Sequence, residues 1–171
     1  MMHRTRTGLR IRGQRGQPEV REALKRFAKW LRQEYEFPIR VPVYLSKNRY
    51  ITAIDGDECS ASFFGPYERD VEPYIRIATG DYDELLAKSG KYVALGTYMC
   101  SLAHEVLHYQ QWVAVGRAHE RGVARKAAAM VRRYAEVVHE LQQFPKWDNL
   151  RGVSRPGESH PQPLEKNGVR P

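Results

Sequence analysis

Apolar residues recur three or four apart in some stretches of this chain and alternate in others, and the two periods divide it into helices and strands. Val20, Leu24, Phe27, Leu31 and Tyr35 share helical spacing over residues 18 to 36. Pro18 suits a first helical turn, Glu19 and Glu22 lie near its positive end, and Pro38 stops it. From 39 to 79 the period shortens to two. Ile39-Arg-Val41-Pro-Val43-Tyr-Leu45 alternates, and Pro42, which has no N–H to give a ladder, predicts an edge strand. Residues 49 to 54 predict a second strand, Asp55-Gly56-Asp57 a turn, and Cys59 to Phe64 a strand pairing back as a hairpin. Residues 73 to 79 predict a further strand, closed by Gly80-Asp81.

Helical signals then return. A short helix is expected over 83 to 88, ended by Gly90, and a longer one over 97 to 116, ended by Gly116. The last strong helix is expected over 119 to 141, with Val123, Ala127, Met130, Val131, Tyr134, Val138 and Leu141 as its buried stripe. The fold class expected is α+β: a small mixed or antiparallel sheet packed on helices. Residues 17 to 144 form the domain, residues 1 to 16 a basic flexible arm, and residues 145 to 171 a flexible tail rich in Pro and Gly.

Composition narrows the setting. The chain has 171 residues, enough for one domain with an adequate core. It has no run of 18 apolar residues, so no membrane span is expected. No hydrophobic stretch follows the N-terminal arginines, and Cys59 and Cys100 make no disulfide framework. A reduced, cytoplasmic protein with two core thiols is the expectation. The net charge of +8 is concentrated in Arg4, Arg6, Arg10, Arg12 and Arg15, with no acid in the first sixteen residues. Such an arm is either a solvated tail or a weak contact to nucleic acid or an acidic partner.

The candidate chemistry lies in His104-Glu105-Val-Leu-His108. Histidines four apart on a helix leave the same face one turn apart, so two nitrogens can bind one cation. Glu105 is rotated by about 100° from His104, beside such a cation, where a carboxylate can take a proton from a water. A catalytic zinc site needs a third protein ligand. The candidates are His119, Glu120, Glu136, His139 and Glu140. On a helix over 119 to 141, Glu120 shares the inward stripe, while Glu136 and Glu140 fall on the opposite face and His139 to the side. If the chain reverses near Gly116, His108 comes level with about residues 122 to 124 on a rise of about 1.5 Å per residue. Glu120 is the choice, with His119 next.

At these residues the chain resembles the gluzincin metallopeptidases, in particular their small single-domain forms, the minigluzincins. The resemblance covers about residues 39 to 141: the sheet, the motif helix, and a glutamate-bearing stretch from Glu120 to Val131. That stretch also resembles the glutamate helix of regulatory gluzincins that cut repressor proteins. The metzincin continuation is absent, since Gln111 and Ala114 stand where its Gly and third His would be.

The resemblance implies a zincin-like fold and Zn²⁺ held by His104, His108 and Glu120. It implies hydrolysis of peptide bonds in a protein or peptide substrate, with Glu105 as general base toward a metal-activated water. Tyr109, Tyr134, His119 and His139 are candidates for a second oxyanion donor. The strand at 73 to 79 is the candidate edge for an extended substrate, and Glu158 or His160 of the tail could reach the metal. Two rival readings are a nucleic-acid-associated module using the arginine arm and a non-catalytic zinc domain.

Overall fold

The 18-to-36 stripe folds as predicted in a computed structural model that describes residues 7–138. Helix α1 (Pro18–Glu34) buries Val20, Leu24, Phe27 and Leu31. Gln17 caps it, its side-chain oxygen accepting from the N–H groups of Glu19 at 2.7 Å and Val20 at 3.2 Å. Two of the N–H groups that a helix start leaves unsatisfied are thereby paired, and Pro18 has none to satisfy.

Strands β1 (Leu9–Arg12), β2 (Val41–Ser46), β5 (Ala61–Phe64) and β6 (Tyr74–Ala78) form a mixed sheet in the order β1-β2-β6-β5. The β1–β2 and β2–β6 pairs are parallel and β5 is antiparallel to β6. Two short strands, β3 (Ile51–Thr52) and β4 (Glu58–Cys59), make a separate antiparallel hairpin. Helices α2 (Tyr82–Ser89), α3 (Lys91–Val115) and α4 (Val123–Val137) complete the described residues. The fold is α+β, with four helices and a small mixed sheet. No helix among the described residues is long and apolar enough to cross a membrane.

Several expectations change. Part of the supposed flexible arm, residues 1 to 16, is structural. Leu9 is fully buried, and β1 pairs with β2 from Leu9↔Val41 to Arg12↔Tyr44. The glycines there serve close approach: a Cβ at Gly16 would stand 2.6 Å from Leu45 Cβ.

Pro42 does not mark an edge, since β2 lies between β1 and β6. Alternate residues of a strand turn their N–H groups to opposite neighbours. Val41 donates toward β1, to Gly8 O at 3.1 Å, so position 42 faces β6. There the ladder begins only at Val43↔Ile75, and the missing donor interrupts nothing.

The predicted 59–64 strand divides. Glu58 and Cys59 pair back on β3, and from Ala61 the chain joins the main sheet on β6. Strand β6 has a neighbour on both sides and offers no edge to a substrate.

The motif helix starts at Lys91, six residues before the predicted 97, and is buried on nearly every side. It packs on α1, α2, α4, β5 and β6. Phe27 and Trp30 of α1 meet Tyr134 of α4 at ring-centroid distances of 5.0 and 5.5 Å. Fully burying such a ring stabilises a fold by about 1.5–3 kcal/mol. Tyr109 fastens α3 to the segment before β2, its hydroxyl donating to Ile39 O at 2.6 Å and accepting from Ile39 N at 3.1 Å.

Helix α4 begins at Val123 rather than 119. Its stripe of Val123, Ala127, Met130, Val131 and Tyr134 is buried as predicted. Leu141, His139, Glu140 and the 145–171 tail lie outside the described residues.

Candidate metal centre

Helix α3 carries His104, Glu105 and His108, and the 117–122 loop that follows it brings Glu120 back to the two histidines. The imidazole centroids of His104 and His108 are 4.8 Å apart, as one helical turn requires. The third group comes from the loop. Glu120 Oε1 lies 2.7 Å from His108 Nε2, and Oε2 lies 3.2 Å from His104 Nε2.

The loop that delivers Glu120 is bounded by two residues in the left-handed region, Gly116 and Gly122, both at φ 76°. At Gly122 that conformation starts α4 and would strain any L side chain. Glu120 O accepts from Val123 N at 3.1 Å, so its backbone is part of the turn that opens the helix.

Gln111 orders the far side of His108. Its Oε1 lies 3.2 Å from His108 Nδ1 and also accepts from the backbone N–H of His119 at 2.9 Å. A proton on Nδ1 donated to that oxygen leaves Nε2 with its lone pair toward Glu120. One amide thus orients a motif histidine and fastens the loop that carries Glu120.

The three groups fit a first-row divalent ion in chemistry and in spacing. Two imidazole nitrogens and a carboxylate oxygen are ordinary zinc ligands, and the ligand atoms lie within 4.8 Å of one another. Bonds of about 2.0–2.1 Å in a tetrahedron place ligand atoms roughly 3.3–3.4 Å apart. The two contacts run to different oxygens of Glu120, so small side-chain shifts would bring one of those oxygens to that spacing from both nitrogens. The His104 and His108 side chains are 12% and 6% exposed, while that of Glu120 is 36% exposed, so the site opens to solvent on the loop side.

Glu105 is buried beside the ligands, one residue from His104. Its charge is felt at Cys59 on β4. Burial, and then the Glu105 carboxylate, push the Cys59 thiol up to about 11. Cys59 was expected as a core thiol and is fully buried, but its place within reach of the Glu105 charge was not foreseen.

The remaining candidates separate. His119 is exposed, and its backbone rather than its imidazole meets Gln111. Glu136 is exposed on α4. Of the proposed oxyanion donors, Tyr109 is engaged with Ile39 and Tyr134 packs among Phe27 and Trp30 in the core. Sequence reading missed the role of Gln111. The available signal was its place three residues after His108 on the same helix face.

No protein-family model, no curated protein and no solved structure matches the chain.

Proposed function

We propose that this protein is a zinc-dependent peptidase of zincin-like fold, with His104, His108 and Glu120 as metal ligands and Glu105 as general base. The observation that carries the reading is the carboxylate of Glu120 reaching both motif histidines. When bound, the ion would supply Lewis acidity, drawing the pKa of a water toward 7 and polarising the scissile carbonyl. Glu105 would take the proton of the attacking water and hand it to the leaving amine. Gln111 would hold His108 in the tautomer that presents Nε2.

Three ligands rather than four among the described residues, with one of them partly exposed, favour a catalytic over a closed structural site. The β5 edge would receive an extended substrate. It pairs with β6 on one side and no described strand flanks the other. It runs along the motif helix, with Phe63 6.2 Å from both Tyr109 and Trp112 by ring centroid. A peptide added there gains main-chain hydrogen bonds alongside the ligands.

Metal analysis together with a peptide-hydrolysis assay tests the reading. Glu105→Gln should keep the metal and lose hydrolysis. Metal content that does not change in His104→Ala and Glu120→Ala would overturn the ligand set.

A further inference from the structure

The described helices lie on one side of the main sheet. Helix α1 packs on β1, and α3 on β5 and β6. The strand residues turned toward them include Leu9, Val41, Val43, Ile75 and Ile77, all fully buried. Side chains alternate along a strand, so the pairing register defines the other face as well. One row across it runs Arg12, Tyr44, Arg76, Ser62. The next sets Arg10 beside Pro42 and Tyr74 beside Phe64.

That outer face differs from an ordinary solvated one. Arg10 and Arg12 are exposed, and Tyr44 is 44% exposed. Tyr74 meets Tyr44 edge-on at 6.3 Å and stacks on Phe64 at 4.9 Å, making an aromatic run across three strands. Beyond the strand ends the face leads into a groove of about 1020 Å³. Its walls carry Arg12, Arg15, Arg21, Lys25 and Lys47 and no acid. Glu22 pairs with Arg21 at 3.3 Å and Lys25 at 3.1 Å, whereas Arg12, Arg15 and Lys47 make no ion pair with another described residue. A second hollow, of about 330 Å³, lies among Tyr44, Tyr50, Thr52 and Arg76. Both hollows are walled by Tyr44, which stands where they adjoin.

We infer that this face is a platform for single-stranded nucleic acid. Cations along the groove match the phosphates, and the exposed Tyr44 ring, with half-buried Tyr74 and Phe64 beside it, matches an unpaired base, which stacks on a ring whatever its sequence. A duplex hides its base faces and would gain nothing from Tyr44. An acidic peptide would use the cations but not the rings. The metal centre is on α3, on the opposite side of the sheet, so the platform does not depend on the peptidase reading.

Fluorescence anisotropy of a short labelled oligothymidylate, titrated with the full chain, tests the inference. Binding should weaken as salt is raised from about 50 to 200 mM, with a log–log slope of about −2 to −4 for three to five neutralised phosphates. Tyr44→Ala should weaken binding about five- to a hundredfold with the slope retained, and Tyr44→Phe should bind as the parent does. Arg12→Glu with Arg15→Glu should make the slope shallower. These positions are exposed, so an unchanged melting temperature checks the fold of each variant. Four results would each overturn the platform: no binding by the full chain, a duplex bound as tightly as the single strand, no effect of Tyr44→Ala, or polyglutamate competing as well as the oligonucleotide.

Discussion

Glu120 Oε1 lies 2.7 Å from His108 Nε2, although the chain leaves one helix and turns back before Glu120 is reached. The contact exists because Gly116 ends α3 and Gly122 opens α4, leaving a loop just long enough to bring one acid back over the motif. Glu120→Ala removes one of the three proposed ligands. Metal affinity should fall by more than the roughly 10–100-fold that loss of an outer-shell partner costs. Calorimetric zinc titration checks this, and a parental affinity would place the third ligand elsewhere.

Gln111 would be such an outer-shell partner in the proposed site, and it also holds the backbone of His119. Gln111→Ala should lower metal affinity by about 10–100-fold while the fold survives. The same titration measures it. Parental affinity would mean that His108 is oriented without the amide.

Glu105→Gln is close to isosteric and keeps the helix and the three proposed ligands. It should retain bound metal and lower the hydrolysis rate by about 10²–10⁴-fold, the usual contribution of a positioned base. A variant with full activity would remove Glu105 from the mechanism.

Leu9 separates a core strand from a flexible arm. It is fully buried, and β1 pairs with β2 along all four of its residues. Leu9→Ala should destabilise the protein by about 2–5 kcal/mol in a denaturant melt, since it removes buried methyl groups and leaves a cavity. A change within the noise of the melt would return these residues to the arm.

Cys59 should resist alkylation at pH 8 in the native protein while the half-buried Cys100 reacts first. Mass spectrometry of the labelled peptides decides the order. The sign of the pH effect follows from the raised value. The folded protein holds the thiol proton up to about 11, against 9.0 for an ordinary thiol, so the folded state binds more protons than the unfolded one in that window. Stability from this group therefore falls as pH rises from about 9 to about 11, and Cys59→Ser should flatten that part of the curve.

The helix α1 was legible because period, proline and acidic first turn all pointed the same way, and tertiary contacts had nothing to override. The turn at Asp55-Gly56 was legible for a similar reason, since a glycine at φ 91° reports a local need. Pro42 misled because the cost of a missing N–H depends on whether a neighbour lies opposite it, and the alignment of β2 with β6 decides that. Glu120 was selected on two arguments of unequal worth. The wheel angle assumed a helix that has not yet begun at residue 120. The level argument, that the returning chain passes His108 soon after Gly116, depends only on the reversal, which the loop makes.

What the sequence by itself determined is local: two imidazoles on one helical face, Glu105 beside them, the buried stripes of α1 and α4, and an excess of positive charge. These depend on residues within a few positions of one another. Tertiary structure decided which acid meets the histidines and where Cys59 feels a carboxylate. It also decided that Arg10 and Arg12 lie on one face of a sheet with Tyr44 and Tyr74. Each of these joins distant segments across a strand register or a chain reversal, and backbone pairing and packing set that geometry rather than any short pattern of residue types.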